Sequence, residues 1–243
     1  MCIRDSFKSF YCNDCTDKLD YYTSEWKKLG FQPDGIYTGF LSSEKQVDKI
    51  LDFINSFETE NTLVLVDPVM GDGGRTYSLF TDALACKMKK LVTVADVITP
   101  NLTECCILCD VDYCEFIKNA DKPDFMDKIA ELGKNLLNRY GVKIVIITGI
   151  DHKDIDGTMY VQNLIASKDE VFSVSCKKIG GSYSGTGDLF ASVMFSGLLR
   201  GDTLRDTVSL AVKFIETSLR DTVALGIDRN EGIEFEKHLK ILL

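Results

Sequence analysis

The sequence predicts an α/β fold, a mostly parallel central sheet with helices on both faces, and three observations carry that prediction. Short β-branched runs are apolar almost without interruption, as strands covered on both faces require. Each follows a longer stretch whose apolar residues recur at helical spacing. The alternation repeats along the chain, which is the pattern of βαβ units and a parallel sheet. In order, Thr16 to Leu29 and Ser43 to Phe57 read as helices, several of these stretches opening on a Ser, Thr or Asp N-cap. Thr62 to Val66 is a strand, Thr81 to Leu91 a helix, Val94 to Thr99 a strand, Pro123 to Tyr140 a helix and Lys143 to Thr148 a strand. Thr158 to Ile165 and Glu170 to Cys176 then form a hairpin around Ser167-Lys-Asp169. Three helices finish the chain, Thr186 to Leu199, Thr203 to Val223 and Glu231 to Leu242. No repeat, low-complexity tract or Pro/Gly/Ser-rich linker interrupts residues 1–243, so they are read as one domain.

The 243 residues carry 28 basic and 37 acidic side chains, a formal charge of −9. That acidity argues against a partner held by phosphate neutralisation, so no nucleic acid is expected. No apolar run approaches the ~20 residues that span a bilayer, so no membrane partner is expected either. Met1 to Asp5 lack a signal-peptide layout, and a cytoplasmic protein is expected. Nine Cys residues in such a chain read as reduced thiols. Two C-x-x-C spacings, Cys12/Cys15 and Cys106/Cys109, raise a zinc or redox site, but the second pair lies within a helical pattern and reads as buried thiols.

Chemistry concentrates in a few turns. Gly180-Gly-Ser-Tyr-Ser-Gly-Thr-Gly-Asp188 joins the hairpin to a helix, and a glycine-rich entry to a helix start, with its unpaired N–H groups and positive dipole end, is an anion seat. It is neither a Walker P-loop nor G-x-G-x-x-G. Asp188, inside the first helical turn, is a dipole partner or a base aimed at whatever those N–H groups hold. Val66-Asp-Pro-Val-Met-Gly-Asp72 places Asp67 just past a strand, at the edge where open α/β sheets bind ligands. Thr99-Pro-Asn-Leu-Thr-Glu104 follows another strand, with Asn101 and Glu104 on one face of a starting helix, the spacing of a capping box. Thr148-Gly149 is expected to end a further strand at the same edge. A strand-end cap explains any one of these turns more easily than it explains all four.

Taken together, Asp67-Pro-Val-Met-Gly, Thr99-Pro-Asn-Leu-x-Glu104, Ile147-Thr-Gly and Gly185-Thr-Gly-Asp188, in this order and spacing, resemble the ribokinase superfamily, and within it the vitamin B6 kinase branch. Tyr37-Thr-Gly-Phe-Leu-Ser-Ser43 resembles a further strand end of that family. The resemblance implies a ribokinase-like αβα sandwich that phosphorylates the 5'-hydroxymethyl group of pyridoxal, pyridoxamine or pyridoxine with ATP. It implies Asp188 as general base in contact with substrate, and Gly185, Thr186 and Gly187 as the anion hole for the transferring phosphoryl. Asp67 and Glu104 would hold Mg2+ directly or through water, and both, with Thr99, Asn101 and Thr148, fall where the family meets nucleotide. Phe40 is the residue carried over as a wall for the substrate ring. A monovalent cation such as K+ and a homodimer are further implications.

The family begins with an additional βα unit carrying a D-x-S-G-x-G-type segment. Met1 to Ser6 do not resemble it, similarity starts near Phe7, and the first βα unit is therefore expected to be missing. Two alternatives remain: a hydroxymethylpyrimidine kinase of thiamin synthesis, which shares the D-P-V-M and P-N-x-x-E layout, and a non-catalytic nucleotide-binding remnant.

Overall fold

The computed structural model describes residues 13–243, so Met1 to Ser6 and Cys12 lie outside the described residues. Two units form, residues 13–147 with 165–171, and residues 148–164 with 172–243.

The first unit begins with a 3₁₀ turn, Thr16–Lys18, that leads into α1 (Leu19–Lys28) where the sequence predicts one helix. The Asp14 carboxylate accepts the Thr16 N–H at 2.8 Å, a local bond that favours a turn over a continued helix. Then come β1 (Gly35–Thr38), α2 (Glu44–Phe57), β2 (Leu63–Val66), a small hairpin of β3 (Gly71–Asp72) and β4 (Arg75–Thr76), and α3 (Asp82–Val92). β5 (Val97–Ile98), α4 (Leu102–Cys109), α5 (Tyr113–Ile117), α6 (Phe125–Tyr140) and the start of β6 (Ile144–Lys153) complete the unit. The hydroxyls of Ser43 and Thr81 cap α2 and α3 as the sequence predicts, accepting from Gln46 N–H and Leu84 N–H. Val47, Ile54 and Phe57 of α2 are buried, and Trp26 of α1 meets Phe53 of α2 edge-on at 5.6 Å.

β1, β2, β5 and β6 pair in parallel, with Thr38 opposite Val66, Val66 opposite Ile98 and Ile98 opposite Val145. That register brings the carboxyl ends of β1, β2 and β5 to one edge. Val64, Leu65 and Val66 are all fully buried, which is why the run carries no polar alternation.

The full strand order is β1-β2-β5-β6-β7-β8, with β7 (Met159–Ser167) and β8 (Val171–Lys177) forming the predicted hairpin. Ser167 N–H closes its turn on Glu170 C=O at 2.9 Å. One expectation is corrected here: the strand containing Thr148 does not end there but continues to Lys153. Gly149 bends it with φ +68°, and its N–H donates to the Asn163 side chain at 3.2 Å.

In the second unit, α7 (Thr186–Arg200) packs on α8 (Leu204–Ala224), around fully buried residues such as Met194, Val208 and Phe214. The predicted final helix, Glu231 to Leu242, is not formed. Two 3₁₀ turns, Arg229–Glu231 and Glu236–Leu242, stand in its place. Gly232 leaves helical space (φ 86°, ψ −158°), and Glu234 N–H is drawn to the Thr222 hydroxyl at 2.9 Å. Among the described residues no helix is long and apolar enough to cross a membrane.

Candidate active site

In the first unit the site starts from Asp67, one residue beyond β2. Its N–H continues the ladder to Thr38 C=O at 2.9 Å, and its carboxylate accepts the Thr99 hydroxyl at 3.1 Å. Asp67, Thr99 and Glu104 are all buried. Buried polar groups persist when they are hydrogen-bonded, and Glu104 meets that condition fully. Its Oε1 accepts Met70 N–H at 3.0 Å and its Oε2 accepts Asn101 N–H at 2.8 Å. Asn101 Oδ1 accepts Glu104 N–H at 3.0 Å, which completes the capping box that the spacing suggested, and Asn101 Nδ2 donates to Gly71 C=O at 2.8 Å. The same two side chains therefore start α4 and fasten the loop after Asp67. Sequence reasoning missed the second duty, because the bond partners lie about thirty positions away and no local spacing marks them.

Burial pushes the Glu104 carboxyl well above its ordinary value, and the charge of Asp67 adds to the shift. The backbone N–H groups of Met70, Asn101 and Gly71 pull the other way without reversing it. Two buried carboxylates that resist being charged together suit a hard cation with oxygen ligands. Among the described residues no group of three or more His, Cys, Asp or Glu forms a closed metal cage. Mg2+ needs none, because it keeps several waters and takes one or two carboxylates along with substrate phosphates. Asp67 and Glu104 fit it on those grounds. Phe40 lies two residues past β1 and is 37% exposed, a ring open to solvent on one side.

In the second unit, Thr148 sits within β6, half-buried. Gly185 takes the N-cap of α7 with φ +82°, a left-handed conformation that a side chain at this turn would strain. No side chain caps α7, as none caps α1 or α6, whereas Ser43, Thr81, Asn101 and Thr203 cap α2, α3, α4 and α8. The first intrahelical bond is Leu189 N–H to Gly185 C=O at 3.1 Å, and Gly187 is exposed at the helix start. The entry loop is held from both ends of its turn, by Thr186 Oγ1 donating to Tyr183 C=O (3.1 Å) and Ser184 N–H donating to Arg229 C=O (3.1 Å). Asp188 follows in the first helical turn, half-buried. A fixed turn at a helix start whose N-cap carries no side chain, next to a carboxylate, is equipped to hold an anion and move a proton.

A model of the phosphomethylpyrimidine kinase family matches residues 27–232. The chain belongs to that family. Its ribokinase-like fold agrees with the superfamily that the motifs indicated. A protein of Schizosaccharomyces pombe, provisionally named a pyridoxal kinase, is 29% identical over 69% of this chain and 47% of its own length. The hydroxymethylpyrimidine/phosphomethylpyrimidine kinase of Staphylococcus aureus is 27% identical over 81% of this chain and 66% of its own. The chain thus spans between about half and two thirds of these relatives. A Bacteroides thetaiotaomicron protein, provisionally named a phosphomethylpyrimidine kinase and crystallised with pyridoxal, superposes with a TM-score of 0.87 at 36% identity. That likeness covers 98% of this chain and 80% of the other.

The cysteine pair on α4 has a plainer chemistry. Cys105, Cys106 and Cys109 are buried, and burial pushes Cys106 up to about 12 and Cys109 up to about 11. At pH 8 only about 10⁻⁴ of Cys106 is then thiolate, the form that reacts. Iodoacetamide is expected to label the exposed Cys15, Cys86 and Cys114 in the native protein and to spare these three, which become reactive in urea. Peptide mass mapping before and after unfolding checks it; native labelling of Cys106 would show that α4 opens.

Proposed function

We propose that this chain transfers a phosphoryl group from ATP to the hydroxymethyl substituent of a substituted pyridine of the pyridoxal class. Family membership supports ATP use. The observation that carries the chemistry is Asp188 in the first turn of a helix whose glycine entry leaves it without a side-chain cap. Asp188 takes the proton of the substrate hydroxyl as that oxygen attacks the γ-phosphorus. The new O–P bond forms, the bond to the β–γ bridging oxygen breaks, and ADP leaves with that electron pair. The N–H groups of Gly185, Thr186 and Gly187 receive the charge on the transferring group, the kind of fixed-dipole stabilisation on which phosphoryl transfer depends. Asp67 and Glu104 hold Mg2+, which when bound screens the phosphate charges. Thr99, Asn101 and Thr148 contact nucleotide, and Phe40 flanks the substrate ring.

The pyridine is favoured over a pyrimidine by the Bacteroides relative, which shares more than a third of its residues with this chain and was crystallised with pyridoxal. A hydroxymethylpyrimidine substrate is the second reading, favoured by the family's own description and by the Staphylococcus aureus relative. Initial rates with MgATP on pyridoxal, pyridoxamine, pyridoxine and hydroxymethylpyrimidine separate them. A higher kcat/KM on the vitamers is expected, and turnover of the pyrimidine alone would reverse the assignment.

A further inference from the structure

The hairpin of β3 and β4 has only two residues in each strand, joined by Gly73-Gly74, and is too small to hold its shape unaided. Three side chains at the start of α4 hold its backbone. Asn101 Nδ2 donates to Gly71 C=O (2.8 Å), Glu104 Oε1 accepts Met70 N–H (3.0 Å), and Thr103 Oγ1 accepts Gly74 N–H (2.9 Å). Thr103 and Glu104 are themselves buried, and the ring of Tyr113 lies against Gly74 at the tip.

The clasped hairpin presents Asp72, Arg75 and Thr76 to solvent, and Asp72 and Arg75 face each other across its register. The Asp72 carboxylate turns back to accept Gly73 N–H at 2.8 Å. The Arg75 guanidinium meets no hydrogen-bond or ion-pair partner among the described residues, a freedom it shares with Lys27, Lys90 and Lys134 of the same unit. Charge makes that freedom informative. Residues 67–77 and 99–104 carry three carboxylates, Asp67, Asp72 and Glu104, and Arg75 is their one cation. A polyphosphate brought to three carboxylates needs positive charge beyond that of a metal ion, and a planar guanidinium donates two parallel hydrogen bonds to phosphate oxygens.

We propose that Arg75 binds the polyphosphate of the nucleotide, delivered there by a hairpin that Asn101, Thr103 and Glu104 clasp to α4. The inference rests on the kinase reading above and adds to it a contact residue, Arg75, and a positioning residue, Thr103.

Calorimetric titration with ADP and with AMP tests it without turnover. Arg75→Ala is expected to weaken ADP about tenfold, the usual size of a lost bond to a charged group, and to leave AMP unchanged. Arg75→Lys recovers part of the loss, because it restores charge without the fork. Lys168→Ala, an exposed cation in the β7–β8 turn, changes neither ligand. Thr103→Val keeps the volume and removes the acceptor for Gly74 N–H; it is expected to weaken ADP selectively and to add nothing further in an Arg75→Ala background. A purely structural Thr103 would lower the melting temperature and leave the ADP-to-AMP ratio alone, which overturns the clasp. ADP affinity within twofold of wild type in Arg75→Ala, or an equal loss for AMP, overturns the phosphate contact. Wild-type protein that binds neither nucleotide overturns the kinase reading itself.

Discussion

Replacing Asp188 by Asn is expected to lower turnover of pyridoxal by about 10²-fold or more while nucleotide affinity stays near wild type, the result of removing a general base. The alternative role for an acid in the first turn of α7 is to oppose the helix dipole, and Asn would then cost ~1 kcal/mol of stability with turnover largely kept. The two roles differ in which measurement moves. Melting temperature, ADP affinity and turnover on one preparation distinguish them, and unchanged turnover would remove Asp188 from the chemistry. The measurement decides, because α7 shares its lack of a side-chain cap with α1 and α6, while α2, α3, α4 and α8 are capped by a Ser, Thr or Asn side chain.

The long elements were legible because burial writes itself into sequence period. β2 is buried on both faces, so its residues run apolar without alternation, and α2 shows the spacing of Val47, Ile54 and Phe57 that its packing uses. α7 and α8 were read to within a residue or so for the same reason. The failures lie where a distant partner or an odd backbone angle decides. The β3–β4 hairpin is too short for any period and exists because α4 holds it. The continuation of β6 beyond Thr148 depends on Asn163, fourteen residues on, and on the turn at Gly149. The last helix fails because Thr222, twelve residues upstream, competes for Glu234 N–H. The site divides in the same way: Asp67, Thr99 and the Gly185 entry could be placed from strand ends and glycine pattern. The joint work of Asn101 and Glu104 needed the loop they reach, and the capping box and the loop attachment turn out to be one hydrogen-bond system rather than competing explanations.

Glu104→Ala tests that system and is expected to cost about 3–5 kcal/mol of stability. It leaves Met70 N–H and Asn101 N–H without their acceptor, at about 1–3 kcal/mol each, and opens a cavity besides. Opposing this, it removes a buried carboxyl that both desolvation and Asp67 penalise. The lost acceptors win, because the burial penalty falls on the charged form of the carboxyl alone, whereas the two backbone donors have no form that escapes theirs. Glu104→Gln refines the point by keeping shape and one acceptor, so its cost is smaller. Its pH dependence has a definite sign. A folded carboxyl raised above its ordinary value near 4.5 binds its proton where the unfolded chain has lost it, so wild-type stability falls as pH rises from 4.5 through the raised value. Gln has no such slope, and its deficit against wild type is therefore greatest at acidic pH and narrows as pH rises. Urea unfolding of wild type, Glu104→Gln and Glu104→Ala at several pH values between 4.5 and 8 measures both terms together. If Glu104→Ala proves as stable as wild type across that range, the carboxylate does not hold the loop after Asp67, and the hairpin that carries Arg75 must be fixed by Thr103 and Asn101 alone.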